Sequence, residues 1–299
     1  MTDRFALRVP CSTSNLGPGF DFLGLCLGLH LDAEVEVVAG PGASRLDWSP
    51  AASWDADQDL ILRALQRYED RFKTRLPRVS IRVSSEIPVG RGFGSSGAAT
   101  AAGLLIAAEL DPAGPRGRGQ LVELALELEG HPDNGTASLY GGCTLSVPHE
   151  GGLEVVQQPV HGSLGFALAW PAAPLFTEQS RAALPTTVPL SDAVENPRRL
   201  ALLLEGLRSG DPRRLRLGVH DRLHERFRRA LIAGSNEAVA RALDAGAHAA
   251  CLSGAGSGLV AIGPVAHMDS IAEALAAPLE GGEGRVVPFV ASQPTTTRG

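Results

Sequence analysis

The sequence has almost no lysine: Lys73 stands alone, and arginine carries nearly all of the positive charge. Cysteine is sparse as well. Cys11, Cys26, Cys143 and Cys251 are scattered and form no CxxC pair, which excludes both a zinc knuckle and a disulfide framework. Each lies among apolar neighbours and reads as a buried reduced thiol. No uncharged apolar run approaches a membrane span, and no basic-then-apolar leader opens the chain, so a cytoplasmic protein without membrane partners is expected. An excess of positive charge is also missing. The net charge of −6 argues against a nucleic-acid partner, and the arginine runs at Arg213, Arg214 and Arg216 and at Arg226, Arg228 and Arg229 read first as solvated helix faces. There is no internal repeat or low-complexity tract.

What is present suits a globular protein of two moderate domains: 299 residues are long for one compact core, and 44% are hydrophobic. Phe5–Pro10 alternates like a strand, residues 11–21 read as a Ser/Asn/Gly/Pro loop, and Leu31–Val38 alternates acidic and apolar residues, the mark of a strand with one wet face. Helical spacing covers Asp57–Phe72, and Val79–Val83 is a strand. Ala98–Leu110 is an Ala-rich helix without charge until Glu109, which must be buried. Gln120–Glu129 and Asp133–Tyr140 read as helices and Cys143–Val147 as a strand. Beyond a turn-rich stretch at 150–163 the order becomes strand (164–170), helices over 196–209, 211–230 and 235–245, strand–turn–strand around Ser253–Gly258, helix (268–277), strand (285–290) and a polar tail from Ala291. Without a regular βαβ period the class is α+β. The expected domains are 1–160 and 161–299.

Pro88–Gly97 (PVGRGFGSSG) carries the strongest chemistry. Glycines 90, 92, 94 and 97 allow close backbone approach, Ser95 and Ser96 add hydroxyls, and the following helix offers its positive end to an anion. A Walker loop needs a lysine after the glycines, and none is here. Gly92-x-Gly94-x-x-Gly97 matches a dinucleotide fingerprint, but several residues separate it from its strand and no strand-ending acid lies about 20 residues on.

Pro88-Val-Gly-Arg-Gly-Phe-Gly-Ser-Ser-Gly-Ala98 resembles the second signature of the GHMP kinases. The stretch from Pro10 to Asp21 (PCSTSNLGPGFD) is similar to their N-terminal signature, and Ser253–Gly258 (SGAGSG) to their C-terminal glycine loop. Three motifs in order across nearly the whole chain carry the resemblance. Within the family, Ser14–Asp21, Glu129–Asn134 (EGHPDN), Thr177 with Arg181, and Asp221–His224 leading to Arg228 are similar to the branch that phosphorylates homoserine. Cys11 and Gly97 stand where Ala is usual, 135–138 (GTAS) replaces a more apolar run, and Ser257 replaces Pro.

The resemblance implies a first domain with a left-handed β-α-β crossover and a ferredoxin-like second domain. It implies ATP bound by Pro88, Val89, Gly90, Arg91, Gly92, Phe93, Gly94, Ser95, Ser96, Gly97 and Ala98. It assigns Mg²⁺ to Ser96 and Glu129, with Glu127 a rival by proximity. The acceptor would be L-homoserine. Arg181 and Arg228 would take its carboxylate, Asp21 its ammonium, and Asn15, Asn134 and Thr177 the remaining polar groups. Ser96, Glu129 and Arg228 are the implied catalytic residues. His131 reads equally as a helper or a structural histidine. Asp133, where other branches place a catalytic acid, is left out because this branch works without a dedicated base. Competing readings are another acceptor of the family (threonine, shikimate, a mevalonate derivative), a nucleotide-binding regulator without catalysis, and a dinucleotide oxidoreductase. Oligomeric state is not legible, and a homodimer stands as an open expectation.

Overall fold

The structure, a computed structural model, describes residues 4–40, 43–49, 58–115 and 117–298. Alternation sets its first sheet. In strand β2 (Gly19–Val37), Leu31, Ala33 and Val35 are buried, while Asp32, Glu34 and Glu36 take the other face. There they meet arginines of neighbouring strands: Arg8 lies 2.9 Å from Asp32, Arg4 2.7 Å from Glu36, and Arg82 3.2 Å from Glu34. β2 runs antiparallel to β1 (Arg4–Asn15), and β4 (Val79–Ser85) pairs with its C-terminal half and β5 (Cys143–His149) with its N-terminal half. β3 (Arg45–Ser49) lies parallel beside β4, and β6 (Gly152–Gln158) flanks β5.

The Ser/Asn/Gly/Pro stretch at 11–21 is not a loop. β1 continues to Asn15 and β2 resumes at Gly19, leaving only Leu16–Pro18 as the turn. Ser12, Thr13 and Ser14 are polar yet buried, because pairing with β2 satisfies their backbone and neighbouring elements take their hydroxyls.

Helices α1 (Leu60–Phe72), α2 (Ser95–Leu110), α3 (Gly119–Glu129) and α4 (Asp133–Tyr140) pack on this sheet. α1 begins at Leu60, where the Asp59 side chain accepts from the N–H groups of Ile61 and Leu62; residue 57, expected as its start, lies outside the described residues. α2 is buried on every face except its end and touches α1, α3, α4 and β1, as its lack of charge requires.

The second sheet is antiparallel, ordered β10 (Glu283–Val287), β7 (Leu164–Trp170), β9 (Leu259–Pro264), β8 (Ala249–Leu252). In its own chain order that is 4-1-3-2, with helices in both crossovers, the ferredoxin-like pattern. The first crossover carries α5 (Thr177–Ala182), α6 (Leu190–Ser209), α7 (Pro212–Gly218), α8 (Glu225–Arg229) and α9 (Ser235–Asp244), and the second carries α10 (Met268–Ala276). The expected helix over 211–230 is divided between α7 and α8. Asp221 breaks it by accepting the N–H groups of Leu223, His224 and Glu225 with one carboxylate oxygen.

The polar tail is also structured. Thr295–Arg298 forms β11, which returns to pair with β1 at the edge of the first sheet. One apolar core runs from Leu25 and Leu104 through Phe166 and Leu168 to Leu207, and all four cysteines are buried and free. Among the described residues no helix is long and apolar enough to cross a membrane.

α1 and α2 meet at Gly103, where a Cβ would fall 2.6 Å from the Ile61 carbonyl oxygen and 2.7 Å from the Ala64 Cβ. Gly103→Ala is therefore expected to lower the urea midpoint at constant m, with a loss of about 1–3 kcal/mol from overpacking.

Candidate active site

Between β4 and α2 the chain turns through Pro88–Gly94, with Gly90, Gly92 and Gly94 at φ of +69°, +72° and +65°. The neighbouring chain, not only a ligand, demands glycine here. A Cβ on Gly92 would lie 2.1 Å from the Ser253 carbonyl oxygen, and one on Gly94 would lie 2.2 Å from Ser12 Oγ. The loop is thus clamped between the end of β1 and the Ser253–Gly258 turn that joins β8 to β9. Ser12 N–H donates to the Phe93 carbonyl at 3.2 Å, Gly258 N–H to the Arg91 carbonyl at 3.0 Å, and Gly254 N–H to the Ser14 carbonyl at 3.0 Å. Phe93 is buried with its ring edge-on to Trp170, centroids 5.4 Å apart. The Arg91 side chain faces away from the cradle: its guanidinium donates to the carbonyls of Pro171, Val89 and Ala172, strapping the loop to the second domain.

The clamp leaves a cavity of about 200 Å³ at the start of α2. Gly90, Gly92, Gly94, Ser95 and Ser96 form one wall. The first N–H groups of a helix have no acceptor within it, so this wall is a ready anion site. Gly97 and Ala98, next along α2, are buried, and Pro88 is half-buried.

Charged groups converge on the opposite wall. Asp21 accepts both Arg181 terminal nitrogens, at 2.8 and 3.0 Å, a bidentate pair. Asn15 holds Asp21 in place: its Oδ1 accepts the Asp21 N–H at 3.0 Å while its Nδ2 donates to the Gly254 carbonyl at 2.8 Å. Asn15, Leu16 and Asp21 all have left-handed backbones, at φ of 69°, 48° and 61°. Three such non-glycine residues within seven positions mark a loop held in place by its surroundings. Thr177 begins α5 on the same wall, and Ser180 ties that helix to the glycine turn through the Ala255 carbonyl at 2.7 Å.

Arg228 is buried 4.9 Å from the centroid of the Phe20 ring, whose centre is 5.8 Å from the Arg181 guanidinium. Burial, reinforced by Arg181, pulls the Arg228 pKa down to about 10, and its Nε has no hydrogen-bond partner. Arg228 stands behind the residues lining the cavity. It is not on the solvated face that its arginine-rich surroundings suggested.

Glu127 and Glu129 take different environments. Glu127 pairs with Arg67 on the surface, whereas both Glu129 carboxylate oxygens are sealed from solvent without a partner. Burial raises the Glu129 pKa to about 8, with His131 opposing and Asp133 adding to the shift. An orphaned buried carboxylate is what a hard cation requires, so the residues present fit Mg²⁺, which keeps several waters and needs few protein oxygens. Asp133 is the contrary case. Burial opposes its charge, but His131 Nδ1 at 2.7 Å, the Asn134 N–H at 2.7 Å and the Ser14 hydroxyl outweigh that and hold its pKa below the usual range. His131 is driven above its ordinary range, because Asp133 outweighs its own burial. Asn134 ties α4 to β1, accepting from Ser12 Oγ at 2.9 Å and donating to Ser14 Oγ at 3.0 Å.

Sequence reasoning missed two features. A second, mostly apolar cavity of about 180 Å³, walled by Leu31, Trp48, Leu60 and Ala99, shares Val89, Ser95 and Ser96 with the first. Trp48, on β3, was its signal in the sequence. The other is the stack of Phe20 on His224, centroids 4.8 Å apart, which joins residues 204 positions apart and leaves no local pattern.

Residues 59–142 match the family model for the GHMP kinases N terminal domain, and residues 203–281 that for the GHMP kinases C terminal. The chain is similar to the homoserine kinase of Trichormus variabilis, at 35% identity over 278 residues, covering 90% of this chain and 89% of the other. It is 38% identical over 271 residues to that of Thermosynechococcus vestitus, with 90% and 89% covered. Among solved structures, the homoserine kinase of Cytophaga hutchinsonii superposes with a TM-score of 0.88 at 26% identity, covering 99% and 98%.

A carboxyl with a raised pKa destabilises the folded chain above the unfolded value of 4.5, where the unfolded chain ionises and the folded one must keep the proton or bury a charge. The ligand-free Glu129→Gln protein should therefore be more stable than wild type at pH 8 by about 1–3 kcal/mol. The difference should vanish towards pH 5, as followed by urea denaturation at each pH.

Proposed function

The chain belongs to the GHMP kinase family, and we infer that it transfers the γ-phosphate of ATP, with Mg²⁺, to the side-chain hydroxyl of L-homoserine, giving O-phospho-L-homoserine for threonine synthesis. The reaction is proposed to take place in the cytoplasm. The observation that carries the reading is the facing of two charge patterns across one cavity. A helix N-terminus with two serines lies on one side, and a paired Asp21 and Arg181 backed by Arg228 on the other.

Phosphoryl transfer asks for positioning and charge neutralisation more than for covalent chemistry. The N–H groups at Ser95 and Ser96 hold the phosphates, and the apolar slot around Trp48 takes the base. Ser96 and Glu129 would hold Mg²⁺, which when bound would supply positive charge to the phosphate oxygens. As a ligand of that cation Glu129 would be ionised. Asp21 receives the homoserine ammonium, Arg181 and Arg228 its carboxylate, and Asn15, Asn134 and Thr177 the adjoining polar surface. Fixing both ends of a short amino acid leaves its hydroxyl one direction to point, which is where binding becomes rate. Asp133, already engaged by three donors and held ionised, is a weak base. The hydroxyl proton passes to the transferred phosphoryl oxygens.

The test is a coupled ADP-release assay with homoserine, threonine, shikimate and mevalonate as acceptors. Homoserine should be turned over with the highest kcat/KM; preference for any other would replace this reading. Arg228→Leu should raise the homoserine KM about tenfold or more, the worth of a charge-assisted hydrogen bond, and leave the ATP KM nearly unchanged. Glu129→Gln should lower kcat by about 2–4 kcal/mol in barrier and raise the Mg²⁺ requirement, while Glu127→Gln should do neither.

A further inference from the structure

His224 is completely buried, and neither of its ring nitrogens is free. Nε2 lies 2.8 Å from the Gly17 carbonyl oxygen, in the turn between β1 and β2. Nδ1 lies 3.3 Å from Arg228 Nη1, one turn further along α8. A carbonyl oxygen can only accept and a guanidinium can only donate. Only the neutral imidazole with its proton on Nε2 satisfies both contacts: the other tautomer sets lone pair against lone pair at Gly17 and donor against donor at Arg228. The imidazolium keeps the first contact but turns a second cation and a second donor on the guanidinium.

We propose that His224 is the positioning residue for Arg228, presenting its guanidinium to the acceptor's carboxylate as a neutral Nε2–H imidazole. The proposal rests on the reading that Arg228 meets that carboxylate. Arg228 Nη1 has one other acceptor, the Gly254 carbonyl at 3.3 Å, so removing the imidazole lone pair halves its anchorage. The Phe20 ring, stacked on His224, sits against the same guanidinium and fixes the plane in which it lies. His224 thereby couples three segments that meet the acceptor: the turn at Gly17, the Phe20–Asp21 start of β2, and α8.

The charges around the ring favour the neutral form on balance. Burial and Arg228 oppose protonation, and against them stand Asp221, whose Oδ1 is 3.8 Å from Nε2, the Gly17 carbonyl and Asp21. Arg181 approaches from α5 across Phe20, and Glu225, next in the chain, is turned away to accept the Leu252 N–H at 2.6 Å. The net shift is downward, so His224 takes a proton only below the ordinary imidazole range.

Two substitutions divide the contacts. Asparagine places its amide near the Nδ1 position and keeps an acceptor for Arg228; glutamine reaches the Nε2 position and keeps a donor for Gly17. His224→Gln should raise the homoserine KM about tenfold with the ATP KM within about twofold of wild type, the loss of a hydrogen bond to a charged group. His224→Asn should bring the homoserine KM back to within about threefold of wild type. The wild-type homoserine KM should climb as pH falls below the imidazole range, and that climb should be absent from His224→Asn. Long-range ¹H–¹⁵N spectra of the wild-type protein at pH 7.5, assigned with the variants, should show His224 as the Nε2–H tautomer. An Nδ1–H tautomer or an imidazolium at that pH overturns the proposal without any variant having to fold. Equal KM effects for the two substitutions, or an acid-side climb that survives in His224→Asn, overturn it as well. If Arg228→Leu itself leaves the homoserine KM untouched, the role given to Arg228 fails first, and the tautomer measurement tells that failure from this one.

Discussion

The close packing of Gly92 on the Ser253 backbone and of Gly94 on the Ser12 hydroxyl is the constraint on which the rest of the site depends. Residues 88–94 are held against β1 on one side and the Ser253–Gly258 turn on the other, too closely at Gly92 and Gly94 for any side chain there. That contact aims the first turn of α2 into the cavity, and it joins the two sheets at the same point. The carbonyl of Arg91 accepts from Gly258 while the Arg91 guanidinium grips carbonyls beyond β7, so one residue couples the phosphate wall to the second domain through both its backbone and its side chain. The glycines thus serve the packing of the protein and the approach of a ligand together.

Around that clamp the buried charges fall into two kinds. Asp133 and His131 are satisfied by each other and by neighbouring donors, and they stiffen the wall. Asp21 and Arg181 satisfy each other at the cavity surface. Their pairing mirrors the two ends of an amino-acid zwitterion, so an acceptor bearing both charges can exchange partners with both at once. Glu129 and Arg228 carry unmet hydrogen-bonding capacity in the interior, a state costly enough to need a reason. A dication and a carboxylate are the ligands that would complete them.

Much of this organisation is legible in the residues alone. The wet-faced alternation at 31–37, the uncharged helix after Ser95, the glycine turn at 253–258 and the α+β order of elements all follow from patterns a few residues long, because period and turn chemistry are local properties. The cradle at Pro88–Gly97 is readable for the same reason. Residues 11–15 were misread because Ser, Thr and Asn signal loops only when water takes their polar side-chain groups, and here β2, α4 and the Ser253–Gly258 turn take them instead. The helix over 211–230 divides because a single aspartate caps in mid-run, and the polar tail becomes a strand only because the edge of β1 is open to it.

By itself the sequence determined the class of chemistry: a lysine-free glycine cradle before a buried helix, and three signatures of one kinase family in order along the chain. Tertiary structure alone decided which of these groups meet. It turned Arg91 out of the cradle, set Glu129 inside and Glu127 outside, and placed His224 between Gly17 and Arg228. The physical reason is that burial and long-range pairing, not local pattern, decide whether a charge is solvated, satisfied or waiting. Those depend on segments as far apart as Ser12 and Asn134, or Asn15 and Gly254, that only the folded chain brings into contact.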